Sequence, residues 1–180
     1  MEQFYTSILH PDTEKSLRDS RIILMTEEIT DRVATVFIAN LLAMDADSTK
    51  PIKIYLKTPG GDVEAGFDMI DAIMLCKSPV EACVIGSVCS MGLPILASIP
   101  GPKRCYKHAR FMHHEISGWF DGKYSEIKAR GRLMDALQKD IVKFLLDHTK
   151  MPADLVTGGI VDQWFNAETA MEYGLVTEIM

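Results

Sequence analysis

The stretch from Val80 to Ile99, Val-Glu-Ala-Cys-Val-Ile-Gly-Ser-Val-Cys-Ser-Met-Gly-Leu-Pro-Ile-Leu-Ala-Ser-Ile, constrains the fold more than any other. Its apolar, β-branched opening from Val80 to Ile85 reads as a buried strand. Small residues follow, and then an apolar run of helical character from Met91 to Ile99. A serine at such a strand-to-helix junction lies where the helix N-terminus offers unpaired backbone N–H groups, which favour developing negative charge. Ser90, followed by Met91-Gly92, is therefore a candidate nucleophile beside its own oxyanion donors. The ordinary alternative is an N-cap or a small packing residue, and the spacing departs from the strict Gly-x-Ser-x-Gly elbow.

Strand and helix alternate through the segments before it. Residues 1–20 form a polar lead-in, with a short helix after His10-Pro11-Asp12. Arg21–Met25 reads as a first strand. Thr30 is placed to cap a helix to about Asp45, in which Val33, Val36, Phe37, Leu41 and Met44 recur near the helical period. Ile52–Lys57 is a second strand that enters Thr58-Pro59-Gly60-Gly61-Asp62, and Asp62 caps a helix carrying Phe67, Ile70, Ile73 and Met74. This order implies right-handed crossovers and a parallel sheet.

Two short strands follow, near Arg104–Tyr106 and Arg110–His113. The loop Ser117-Gly118-Trp119-Phe120-Asp121-Gly122 leads into the longest helix, about Tyr124–Thr149, with an apolar stripe of Ile127, Leu133, Leu137, Ile141, Phe144 and Leu145. At roughly 39 Å that helix outreaches a globule of this size, so it is expected to project and pair with another subunit. Pro152 opens a further helix, Asp162–Phe165 reads as a connecting segment, and Ala167–Tyr173 with Leu175–Ile179 closes the fold.

Composition narrows the function. A net charge of −6, from 19 Lys and Arg against 25 Asp and Glu, argues against a nucleic-acid surface. No run approaches the roughly 20 apolar residues of a membrane span. The opening residues lack the basic and apolar regions of a secretory signal. Cys76, Cys83, Cys89 and Cys105 show no Cys-x-x-Cys spacing and read as reduced core residues of a cytoplasmic protein.

Two further segments carry chemistry. Thr58-Pro59-Gly60-Gly61-Asp62 lies at the C-terminal end of a parallel strand, where α/β sheets place their sites. Its paired glycines let backbone N–H groups approach a ligand closely; the plain alternative is an ordinary turn. It lacks the lysine and spacing of a phosphate loop. His113-His114-Glu115 ends a strand, and alternation sends the two histidines to opposite faces, so one of them can meet Ser90. The spacing matches no standard zinc pattern, so no metal is expected. Asp162 is an acid among apolar neighbours, and a turn carboxylate is its plain alternative.

Taken in order, Thr58-Pro59-Gly60-Gly61, Cys89-Ser90-Met91-Gly92, Met112-His113-His114, Asp162 and Glu172-Tyr173-Gly174-Leu175-Val176 resemble the ClpP serine peptidase family over about residues 20–180. The resemblance implies a ClpP/crotonase-like α/β fold of repeated β-β-α units, with a parallel sheet and a protruding handle helix. It implies a lead-in arm over residues 1–20 and a single peptidase domain over 21–180. It makes Ser90 the nucleophile, His114 the general base and Asp162 its orienting carboxylate, with the N–H groups of Gly61 and Met91 as the oxyanion hole. Gly60, Ile116, Ser117, Gly118 and Trp119 are implied to bind an extended peptide by added-strand hydrogen bonds. The resemblance further implies heptameric or tetradecameric rings, a AAA+ unfoldase that supplies the ATP, and no cofactor in the peptidase itself.

Several positions depart from the family pattern. Lys53 stands where an aromatic residue usually lines the unfoldase docking pocket, which places an ammonium where an apolar loop should dock. Val161 and Gln163 flank Asp162 where charged partners often join the rings, and Glu115 replaces the customary glutamine. Two rival readings are a crotonase-type acyl-CoA hydratase or thioesterase, which needs no Ser/His/Asp set, and a non-catalytic assembly subunit, which tends to lose it.

Overall fold

The computed structural model describes residues 10–158 and 161–180. Helix α1 (Pro11–Asp19) starts with proline in its first turn and is capped by the His10 ring, which accepts from the Asp12 N–H. Strand β1 (Ile22–Met25) leads to helix α2 (Asp31–Asp47), where the Thr30 hydroxyl accepts from the Val33 N–H as its spacing predicts. Strand β2 (Ile52–Thr58) leads to helix α3 (Val63–Leu75), capped by the Asp62 carboxylate on the Ala65 N–H. Strand β3 (Val80–Cys89) is followed by helix α4 (Gly92–Ser98), buried at every residue.

The remaining elements are β4 (Lys103–Cys105), β5 (Arg110–His113), α5 (Tyr124–His148), α6 (Ala153–Thr157), β6 (Gln163–Phe165), α7 (Ala167–Glu172) and β7 (Glu178–Ile179). The chain is thus an α/β fold. Strands run in the order β1-β2-β3-β4-β7, all in parallel pairs, with β5 also parallel to β3. Alternate residues of β2 (Ile52, Ile54, Leu56, Thr58) are fully buried, while Lys53 and Tyr55 between them are half-buried and Lys57 is exposed. One face of the sheet therefore makes the core with α2, α3 and α4, and the other carries Leu24, Lys53, Tyr55 and Lys57.

Strand β3 runs further than the sequence predicts, through Gly86 and Ser87 to Cys89. It pairs with β4 along Ala82–Val84 and with β5 along Ser87–Cys89. Gly86, at φ +138°, sits where one partner gives way to the other, and the register with β2 shifts between Leu56 and Thr58. A glycine can take that conformation without Cβ strain, which explains why it interrupts the apolar run without ending the strand.

Two expectations are corrected. The segment read as a connection at Asp162–Phe165 contains β6, which pairs antiparallel with β5 through Phe111–Phe165, Met112–Trp164 and His113–Gln163. Three residues are too few to show an alternation, and only tertiary pairing defines the strand. In addition, the apolar stripe expected along the projecting helix does not share one environment, because Ile127 and Leu133 are exposed while Ile141 is buried. Ile141 and Leu145 are buried in this chain's own core, and they are the only buried residues of α5.

Arg21 closes the opposite end of the sheet from these loops. Its buried guanidinium donates to the carbonyls of Met44 (2.7 Å), Ser48 (3.0 Å) and Lys50 (2.8 Å) and to the Ser78 hydroxyl (3.2 Å). One side chain so joins the end of α2, the α2–β2 loop and the α3–β3 loop. Arg21→Met keeps the apolar stem but orphans those acceptors, and should cost about 3 kcal/mol of unfolding free energy in urea titrations. A loss below about 0.5 kcal/mol would show that water replaces the guanidinium without penalty.

Candidate active site

Three loops at the C-terminal ends of β1, β2 and β3 build the site, as expected for a parallel sheet. Ser90 follows β3 in the left-handed region, at φ +52°, a conformation that costs a non-glycine residue on the order of 1–3 kcal/mol. Its N–H donates to the Met112 carbonyl at 2.8 Å, and its carbonyl accepts from the Leu93 N–H at 2.9 Å. Strand pairing on one side and the first turn of α4 on the other thus hold the strained turn.

The glycine pair makes room for it. A Cβ on Gly60 would lie 2.6 Å from the Ser90 Cβ and 2.9 Å from the Cys89 carbonyl oxygen. A Cβ on Gly61 would collide with the Ile29 backbone, which pairs with this loop through Ile29 N–H to Gly60 C=O (2.8 Å) and Asp62 N–H to Ile29 C=O (2.9 Å). Among the described residues, the N–H groups of Gly61 and Met91 donate to no other protein group.

The histidines separate as strand alternation predicts. His114 Nε2 is 2.8 Å from Ser90 Oγ, and its Nδ1 is 3.4 Å from Asp162 Oδ1. The second distance exceeds ordinary hydrogen-bond length, so the exposed carboxylate stands beside the imidazole without a full bond. His113 turns inward, with Nε2 3.1 Å from the Val156 carbonyl. Burial pushes its pKa below the ordinary histidine value, with His114 adding to the effect and the Val156 carbonyl opposing it.

A cleft of about 580 Å³ opens over Ser90. Its walls include Gly61, Met91, His114, Ile116 and Ser117, whereas Gly118 and Trp119 are not among its lining residues. Gly60 abuts the Ser90 turn from behind. Residues 114–123 form no regular strand, and the Ile116 N–H is taken by Gln138 Oε1 at 2.8 Å. Ile141, read from the sequence as part of the apolar stripe of the long helix, also lines the cleft, as do Glu28, Asp31 and Val63, which the sequence reading did not single out. Their signal was positional, since the loops after the first two strands were bound to lie at the same sheet end.

A family model described as Clp protease matches residues 9–180. The chain belongs to the Clp protease family. The ATP-dependent Clp protease proteolytic subunit 1 of Salinibacter ruber (strain DSM 13855 / M31) is 31% identical over 172 residues, covering 94% of this chain and 74% of that protein. The family is one of proteases. In this Clp protease, no group of three or more metal-binding side chains clusters among the described residues, and no described helix is long and apolar enough to cross a membrane. Cys89, next to the site, is buried, and burial raises its thiol pKa above the ordinary value, away from nucleophilic thiolate character.

The depressed pKa of His113 has a consequence for stability. Folding favours its neutral imidazole, so the full benefit is present above about pH 6.5. Below that, the unfolded chain takes up a proton that the folded chain resists, and stability falls. Urea unfolding at about pH 7.5 and about pH 5.5 should show a larger loss in the unaltered chain than in His113→Gln, which keeps a donor for Val156 but does not titrate. Equal losses would mean that His113 protonates in place.

Proposed function

We propose that this chain is the peptidase subunit of a self-compartmentalising cytoplasmic assembly, a serine endopeptidase acting through Ser90, His114 and Asp162. The observation that carries the reading is the 2.8 Å contact between Ser90 Oγ and His114 Nε2 beside two unengaged backbone N–H groups. The Ser90 hydroxyl donates its proton to His114 Nε2 as Oγ attacks the carbonyl carbon of an extended peptide. Negative charge moves onto the carbonyl oxygen, where the N–H groups of Gly61 and Met91 receive it. His114 then protonates the departing amine, and water enters by the same route to release the acyl group. Asp162 holds the Nδ1–H tautomer, and its 3.4 Å separation would close when substrate orders the site.

The peptide lies along Gly60 and residues 116–119. Because Gln138 already occupies the Ile116 N–H, Ile116 contributes its carbonyl and side chain. Gly118 and Trp119 meet the peptide outside the cleft proper. Exposed Tyr124, Ile127 and Leu133, on the outer half of α5, support pairing of two heptameric rings. No cofactor is needed for this chemistry, since an unfoldase would supply the ATP.

Ser90→Ala should abolish fluorophosphonate labelling and lower peptide turnover by at least about 1,000-fold, with His114→Ala close to it. His113→Ala should retain most turnover, because its ring points away from Ser90. Intact labelling of the Ser90→Ala protein would overturn the assignment.

Lys53 bears on the partner. It lies half-buried on the sheet face that α2, α3 and α4 leave open, opposite Glu81 on β3. Covering its ammonium with an apolar loop costs affinity unless the side chain snorkels. ATP-driven degradation of a tagged folded protein with a ClpX-type unfoldase should therefore be weak, and Lys53→Tyr should raise it roughly 100-fold in docking affinity. Robust degradation with the unaltered chain would refute this.

A further inference from the structure

We infer that the cleft over Ser90 selects peptides with a lysine or arginine beside the bond presented to Ser90, the selection coming from Glu28, Asp31 and Asp62. This rests on the peptidase reading and names its substrate class. The ionisable side chains that line the cleft are these three carboxylates and the two histidines, with no lysine or arginine among them. The carboxylates arrive from two loops. Glu28 precedes Ile29, Asp31 opens α2, and Asp62 caps α3.

The backbone pairing of Ile29 with the glycine loop draws those loops together. All three acids therefore come from the two paired loops that carry Ile29 and Gly61, while Ile116 and Ser117 of the lining come from the segment after β5. Buried Ile29, Met91 and Ile141 also line the cleft and make its floor. This arrangement fits one kind of side chain. A lysine or arginine lays its apolar stem on that floor and keeps its charged head at the rim among the carboxylates.

The rim charges are available to a substrate. Glu28 and Asp31 are exposed and enter no ion pair or side-chain hydrogen bond among the described residues. Asp62 spends one oxygen on the Ala65 N–H and keeps the other. The start of α2 offsets part of the Asp31 charge, which leaves Glu28 as the strongest single contributor. An acidic side chain in the same place meets like charges across a low-dielectric floor and is rejected.

Binding can be measured without hydrolysis. The full-length Ser90→Ala protein is titrated into three fluorescent peptides of equal length that differ only beside one leucine, with arginine, glutamine or glutamate there, and anisotropy is followed. The arginine peptide should bind roughly tenfold more tightly than the glutamate peptide. The ratio should shrink to about twofold in a Glu28→Gln, Asp31→Asn background and in about 0.5 M salt, while Glu28→Lys should invert it.

Equal affinities, binding of none of the three, or a preference that survives both the double substitution and salt would overturn the inference. The two readings fail separately. If the unaltered chain neither reacts with fluorophosphonate nor cleaves peptides, yet the arginine preference disappears with Glu28 and Asp31, the peptidase reading falls and the cleft's selectivity stands.

Discussion

Three backbone segments meet at the upper end of the sheet with no space for a Cβ between them. The turn at Ser90 presses on Gly60, and Gly61 presses on Ile29. Backbone atoms cannot swing aside as a flexible side chain can, so this contact fixes the loops after β1, β2 and β3 as one unit. The left-handed turn at Ser90 and the placement of Gly61 and Met91 beside it follow from this contact. Gly92 extends the same packing, because a Cβ there would lie 2.6 Å from the Thr58 methyl group. The strain at Ser90 persists because its surroundings leave it no alternative.

The change of partner along β3 supplies the fourth component. The strand gives its first half to β4 and its second half to β5, on either side of Gly86. Without that change β5 would not lie beside Cys89, and the Ser90 N–H would not reach the Met112 carbonyl. His114 stands two residues past Met112 on the same strand line, which places its ring within 2.8 Å of the serine oxygen. The antiparallel β6 then returns along β5 and leaves Asp162 next to the imidazole. Sequence-distant residues converge because one strand changes neighbours midway.

Much of this was readable beforehand, and the reasons are local. Thr30 and Asp62 cap their helices because a short polar side chain three residues before a free N–H has little else to bind. Period-2 alternation separated His113 from His114 without any tertiary information. The features that escaped depend on distant partners. A three-residue strand such as β6 exists only because β5 is beside it. Arg21 read as the first residue of a strand, and its acceptors are carbonyls from residues 44–50, a type of partner that leaves no trace in a sequence. Ile141 carries the same periodicity as its neighbours on α5, and the pattern does not tell where the helix leaves the body.

The two ends of the sheet also carry groups with different acid chemistry. At the lower end the fastening is a guanidinium gripping carbonyl oxygens that do not titrate. Nearby Asp45, held at about 2 by hydrogen bonds from Ser78 and then Lys77, stays ionised in all but strong acid. Toward the upper end, beside the backbone contacts of the glycine loop, the buried titratable group is the His113 imidazole on the Val156 carbonyl. Acidification should therefore act on the fold through the buried His113 imidazole before it reaches the clamp at the roots of the strands.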